Sequence, residues 1–281
     1  MKLVTINTHS LIEDNYPQKL EQFVDFICRE QPVLIAMQGV NQSIDAPVYD
    51  NPLLGYSPAS DIMPVIREDN HALQAAVRIH AHRLPYHWTW LPVKLGYSKY
   101  DEGMAIFSKT PITQVDHFYI STFRDYNNWK TRQVLGVKIA DCDDWFYTMH
   151  MGWWDDKDDP FSVQWERFKK QLSTKNHSYN TWLLGDFNSP AEVKSEGYDL
   201  VKASGFYDTY TLADTKDDGI TVEGVIDGWR DKILDPNTIK GMRIDHIFTN
   251  QKLPVRSSLV IFNGQETPVI SDHFGVMIET N

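Results

Sequence analysis

Eight short apolar runs recur along the 281-residue chain and constrain its fold more than any other feature: HWTWLPV, GMAIFSK, QVLGVKI, WFYTMH, TWLLGDF, RIDHIFT, SLVIF and HFGVMIE. Each has strand length and is rich in β-branched or aromatic residues. Two more runs precede them. In MKLVTINTHS, Leu3, Thr5 and Asn7 alternate with Val4, Ile6 and Thr8. In LIAMQGVNQ, alternation puts Leu34, Ala36, Gln38 and Val40 on one side and Ile35, Met37 and Gly39 on the other. Helical spacing is confined to residues 17–30 (Leu20, Phe23, Val24, Ile27, with Pro17 in the first turn), 70–83 and 162–172 (Trp165, Phe168, Leu172). The stretch PAEV, after the strand at 182–187, predicts the opening of another helix. Many strands with few helices predict an α/β fold of two sheets packed together and covered by helices.

No repeat, low-complexity tract or Pro/Gly-rich linker divides the chain, so residues 1–281 read as a single domain. The N-terminus is too short and polar for a signal peptide, and no apolar run approaches the ~20 residues of a membrane span. Cys28 and Cys142 carry no metal spacing, and Cys28 reads as a plain core thiol. A reducing, cytoplasmic setting without membrane attachment is expected. The net charge of −11 gives no long-range attraction to nucleic acid or anionic membrane, although a bound cation or local basic patch would offset it.

Four polar clusters sit at the ends of apolar strands. In WLLGDFNSP, Gly185 allows a tight approach, and Asp186 and Asn188 share a face if the strand continues. A carboxylate beside a carboxamide can activate and hold a water. The same residues equally suit an Asx-turn or helix cap before Pro190. In ISDHFGV, Asp272 and His273 can divide cation and phosphate between them, or form a surface Ser-Asp turn. In RIDHIF, Asp245 can fix a histidine's tautomer and support its charged form, or pair with Arg243. Glu102 precedes one strand and His150 ends another; as a pair they can act as an acid on a leaving oxygen.

With Asn7 closing the first strand, this ordered set resembles the endonuclease/exonuclease/phosphatase superfamily, from INTHS through GDFN to SDH. The resemblance implies a four-layer α-β-β-α sandwich of two mostly antiparallel sheets, Mg²⁺ or Mn²⁺, and attack of water on phosphorus. It implies Asn7 and Asp272 at the metal. It makes Asp186 the water-activating residue, with Asn188 as its partner. His273 contacts phosphate with Asp245 behind it, and His150 with Glu102 forms a second histidine pair. Phosphoryl transfer needs positioning and charge neutralisation more than covalent chemistry, which a hard cation and such residues supply. One departure stands out. The family pattern LQEVN, whose glutamate is a metal ligand, here reads MQGVN, with Gly39 in the ligand's place. Gln38 points the other way on a regular strand. A glutamate restored at position 39 is expected to add a ligand, unless Gly39 holds a left-handed conformation.

The substrate must be read beside these motifs. Trp88, Trp90, Tyr97 and Tyr100 lead to Glu102; Trp153 and Trp154 follow His150; GVIDGWRD adds Asp227, Trp229 and Arg230. Aromatic rings beside carboxylates and arginine suit a sugar, although several of these rings must be core. Lys130 and Arg132 in NWKTRQ can grip one phosphate. The strings YHWTW, NWKTR, HMGWWDD and GVIDGWRD are similar to those of the maltose 6′-phosphate phosphatases of Gram-positive bacteria. That similarity implies a small phosphorylated sugar as the partner. The alternatives are a phosphodiesterase on nucleic acid or lipid headgroups, for which the Lys/Arg track is sparse, and a sugar-phosphate-binding protein without turnover.

Overall fold

The structure, a computed structural model, describes residues 1–60, 64–175, 179–224 and 241–281. In the first third, β1 (Lys2–Asn7), α1 (Tyr16–Glu30), β2 (Leu34–Ser43), α2 (His71–Ala81), β3 (His87–Gly96) and β4 (Tyr100–Ser108) follow one another. Then come β5 (Ile112–Tyr119), β6 (Gln133–Ile139), β7 (Cys142–His150), α3 (Phe161–Ser173) and β8 (Thr181–Asp186). The rest holds α4 (Gly197–Ala203), β9 (Tyr207–Asp208), α5 (Thr209–Leu212), β10 (Ala213–Lys216), β11 (Asp245–Thr249), β12 (Val255–Ile261) and β13 (Gly275–Thr280).

Among the described residues the strands form two sheets, ordered β10-β12-β13-β1-β2-β4-β3 and β5-β6-β7-β8-β11-β9. Both are mostly antiparallel; β1–β2, β7–β8 and β10–β12 are the parallel pairs. Strand alternation divides the apolar residues among three interlayer cores. Leu3, Leu34 and Ala36 of one sheet meet Leu135, Phe146, Trp182 and Leu184 of the other in the central core. Their strand neighbours Val4, Ile6, Ile35 and Met37 pack outward under Leu20, Phe23, Val24 and Ile27 of α1 and Ile79 of α2. On the far side Tyr147, Met149 and Leu183 pack under Phe161, Trp165 and Phe168 of α3. Three cores separate four layers, as the predicted sandwich requires.

Two local readings are corrected. Val40 lies in the outer core with Ile35 and Met37, not on the Leu34 side. A register shift between Met37 and Val40 in the β2–β4 pairing breaks the alternation. PAEV opens no helix. Ala191 N is taken by Arg243 O at 3.0 Å and Val193 N by Pro190 O at 3.2 Å, so the chain turns here and α4 starts only at Gly197.

Candidate active site

The register of one sheet lines up three polar side chains. His150 lies opposite Asp186 across the parallel β7–β8 pair, and Asp245 lies opposite Asp186 across the antiparallel β8–β11 pair. Cross-strand partners point to the same face, so all three reach one end of the sandwich. Asn7 joins them from the other sheet, donating Nδ2 to Asp186 Oδ2 at 3.1 Å. Beyond Asp186 the backbone turns. Asn188 N donates to Asp186 Oδ1 at 2.8 Å, and Asn188 Nδ2 donates to Met151 O at 2.9 Å. The Asx-turn and the functional placement are thus one arrangement: the turn points Asp186 Oδ2 into the pocket. His150 Nε2 and His273 Nε2 stand 3.5 and 3.8 Å from that oxygen, leaving a gap between the imidazoles and the carboxylate.

The charges are set by burial and neighbours. Burial pushes Asp186 up from the usual carboxylate range, and Asp245 adds to the push against the pull of His273. Burial works against charge on His273, but the carboxylates of Asp245 and Asp186 prevail and hold it as an imidazolium. Asp245 Oδ2 pairs with His273 Nδ1 at 3.0 Å, and Asp245 Oδ1 accepts no hydrogen bond from the described residues. The histidine served by Asp245 is therefore His273; His246, its sequence neighbour, bonds Arg243 at 3.1 Å in the core. Arg243 in turn pairs with Asp208 at 2.8 Å, which removes the Asp245–Arg243 alternative. His150 is driven well below its ordinary value by burial and by the cations Arg132 and Lys94, so it is neutral.

Glu102 pairs with Lys94 at 3.2 Å, not with His150, although Glu102 and His150 share a pocket wall. The carboxylate nearest His150 is thus Asp186, at 3.5 Å, and not the Glu102 of the expected acid pair. Arg132 lies beside them, its Nη1 donating to Trp129 O at 3.3 Å and its buried Nε meeting no acceptor among the described residues. These groups line a cavity of about 310 Å³, together with Asn7, Gly39, Asp186, Asn188, Asp272 and His273. Its rim is aromatic: Trp129 and Tyr97 are 49% and 54% exposed, and Trp153 lies 5.6 Å from Trp129 between ring centroids.

Several expected substrate contacts are elsewhere. Trp88 and Trp90 are fully buried in the outer core, their indole N–H groups donating to Leu54 O and Val40 O. Two residues apart on β3, they share a face, and that face is covered. Tyr100 is buried and donates to Leu11 O; Trp154 packs against the α3 core beside Phe161. Lys130 is held by Asp156 and Asp158 and does not line the cavity. Asp227, Trp229 and Arg230 lie outside the described residues. Sequence reading missed Lys94, Trp129, His9 and Glu13. A usable signal existed for the last two: an i, i+4 His–Glu spacing directly after the strand that ends in Asn7.

Gly39 lines the cavity with φ +62°, and a Cβ there would stand 2.5 Å from Asn7 Oδ1 and 3.0 Å from His9 N. Gln38 faces the opposite sheet, donating to Thr148 Oγ1 at 2.8 Å. The bulge is closed by the segment Thr8–Ser10: Thr8 Oγ1 donates to Gln38 O and Gly39 O, and Ser10 Oγ donates to Gly39 O at 2.7 Å. The expected gain from Gly39→Glu therefore does not follow. The substitution should cost about 1–2 kcal/mol in left-handed backbone alone, plus displacement of Asn7, and should leave divalent-ion affinity no better. Urea denaturation and a Mn²⁺ titration of the variant check this.

A four-layer sandwich with carboxylate, carboxamide and imidazole groups converging at one end of both sheets is the build of an endonuclease/exonuclease/phosphatase-type hydrolase. The sequence matches the Endonuclease/Exonuclease/phosphatase family over residues 4–273, and the chain belongs to it. An endonuclease/exonuclease/phosphatase family protein from Leptotrichia buccalis C-1013-b is 29% identical, with a TM-score of 0.85 over 100% of this chain and 99% of that one. Two others share the fold at lower identity. A mannosyl-6-phosphatase from Bacteroides thetaiotaomicron VPI-5482 has 18% identity and a TM-score of 0.65, covering 100% and 99% of the two chains. A functionally unknown conserved protein from Enterococcus faecalis V583 has 16% identity and a TM-score of 0.64, with the same coverage. No curated protein sequence matches the chain. No helix among the described residues is long and apolar enough to cross a membrane.

Members of this family generally use divalent metal ions. Among the described residues two groups bring three ligand atoms within 4.8 Å of one another: His9, Glu13 and Asp272, and Asp186, Asp245 and His273. The second already contains a cation, the imidazolium of His273. The first adjoins Asn7, whose Oδ1 accepts from His9 N at 3.4 Å, and the His9 backbone packs closely on Gly39. Its donors are hard oxygens with one nitrogen, and Glu13 stays ionised: burial opposes charge, but His9 and Lys19 bring its carboxyl down to about 2. This donor set fits a divalent cation.

Proposed function

We propose that this protein is a metal-dependent phosphomonoesterase acting on a small phosphorylated sugar, with maltose 6′-phosphate the leading substrate. The observation that carries this reading is the cavity's composition: Asp186 and two imidazoles at the floor, Arg132 and Lys94 on one wall, and aromatic rings at the rim. The mannosyl-6-phosphatase of the same fold supports a 6-phosphorylated sugar. Within the strings that resemble maltose 6′-phosphate phosphatases, Trp129, Arg132, His150 and Trp153 line this cavity.

In this reading Arg132, Lys94 and the imidazolium of His273 hold the phosphoryl oxygens, while Trp129, Trp153 and Tyr97 cover apolar faces of the sugar. Asp186 Oδ2 accepts the proton of a water whose oxygen attacks phosphorus. Asn188 fixes the carboxylate through its backbone N–H, and neutral His150 lends a hydrogen bond beside it. The bond from phosphorus to the sugar oxygen breaks, and that oxygen takes its proton from solvent water as it leaves. Asn7 and Asp272 would hold the divalent ion, which when bound neutralises phosphate charge and polarises phosphorus.

Turnover of a sugar-phosphate panel, set against nicking of plasmid DNA, tests the reading. Phosphate release from a sugar phosphate is expected; DNA nicking without it would overturn the proposal. A pH profile adds a second check. Burial, then the neighbouring Arg132 charge, bring Lys94 down to about 8 despite its pairing with Glu102. Lys94 is charged below that value and neutral above it, so kcat/KM should fall on the alkaline side near pH 8. Lys94→Arg, which keeps its charge, should move that limb upward. A limb that stays in place would show that Lys94 does not hold the phosphate.

A further inference from the structure

His9 and Ser10 are both left-handed, with φ 49° and 43°, and they drop the chain onto Gly39. The space where a side chain at position 39 would begin is taken by Asn7 Oδ1 and by the backbone of His9. The same loop carries Glu13 round to Asp272, which lines the pocket. There Glu13 Oε1 accepts from Asp272 N at 3.2 Å and lies 2.7 Å from His9 Nδ1. That ring nitrogen is also 3.7 Å from Asp272 Oδ1, so two carboxylates converge on one point. Asn41 provides an independent observation. It is 1% exposed, it lines the same cavity, and its Oδ1 accepts no hydrogen bond from the described residues, while its Nδ2 donates to His9 O at 3.3 Å. A buried carboxamide oxygen without a donor, in the cavity that His9 and Asp272 also line, calls for a cation.

We propose that Glu13 supplies the carboxylate that position 39 lacks, and that Glu13, Asp272 and His9 hold the divalent cation at this corner of the pocket. The inference rests on the metal-dependent reading above and says which residues serve it. Gly39 is then an enabling residue: its missing Cβ lets the His9 loop approach and deliver a ligand from a different segment. An imidazole among the oxygens favours a transition-metal dication such as Mn²⁺ over Mg²⁺. Lys19 is the internal competitor, since it is ion-paired with Glu13 Oε2. Removing Lys19 should free Glu13 for the ion.

The test is Mn²⁺ binding to the full chain, by calorimetry and by the EPR signal of free Mn²⁺, with melting temperatures measured alongside. Glu13→Gln should weaken binding at least about 10-fold, the lower end for disturbed metal sites. Lys19→Met should tighten it, and this more exposed position decides the matter if Glu13→Gln does not fold. Wild-type Mn²⁺ affinity in both variants would overturn the inference. If Asp272→Asn abolishes binding while Glu13→Gln leaves it intact, the assignment of Glu13 falls and the metal-dependent reading stands. If the unmodified protein binds neither Mn²⁺ nor Mg²⁺, the metal-dependent reading falls with it.

Discussion

Replacing Asp186 with Asn should lower kcat by about 10²–10⁴-fold, the usual cost of losing a general base, with little change in fold. The carboxylate is buried, accepts from Asn7 Nδ2 through one oxygen, and accepts from Asn188 N through the other. An amide of the same shape can satisfy only one of these donors, and it cannot take a proton from water at neutral pH. The loss should appear in kcat more than in KM, because the phosphate-holding cations Arg132 and Lys94 are untouched. Initial rates on the preferred sugar phosphate, with circular dichroism as a fold control, measure it. Turnover close to that of the unmodified protein would remove Asp186 from the role assigned to it.

The largest expected effect on stability comes from the residue before it. Gly185 has φ +153°, and a Cβ there would stand 2.0 Å from Met149 O, its partner in the parallel β7–β8 ladder. No rotamer relieves a contact with backbone. Gly185→Ala must therefore push two central strands apart, at a cost of about 3 kcal/mol or more, the upper end for overpacked sites. The midpoint of urea denaturation reads this directly. Activity should fall with it, since His150 and Asp186 each follow the displaced pair by one residue. An alanine variant as stable as the parent would mean that the ladder here tolerates a side chain.

Much of this arrangement was legible because its chemistry is written at strand ends. Alternation separated Leu3 from Val4 and Ala36 from Ile35, which the structure divides between the central and outer cores, and polar residues follow such runs at the sandwich's end. Asp186, His273, Asn7 and His150 were singled out from such positions, and all four line the cavity. What failed is physically specific. Lys94 follows a register shift after Pro92, which alternation along the strand does not reveal. Val40 was misplaced by the bulge at Gly39. Trp88 and Trp90 suggested a sugar platform by ring type alone, whereas their spacing puts both under the same covered face. Trp129 gave no periodic signal, being in a turn before β6. Glu13 is separated from Asp272 by most of the chain, and only the folded backbone brings the two together.

The hydrogen bond from Asn7 to Asp186 has a kinetic meaning as well. It spans 179 residues of sequence and ties one sheet to the other, while His273 arrives from near the opposite end of the chain. No half of this protein holds the complete site, because Asn7 and Gly39 come from the first half and Asp186 and His273 from the second. During refolding the local pairings β3–β4 and β5–β6–β7 can form early, but contacts at such sequence separation, the β1–β13 ladder among them, are slow to form. Enzymatic activity should return in step with the final docking of the two sheets and lag behind recovery of β-structure. Activity is thus a reporter of the last event in folding.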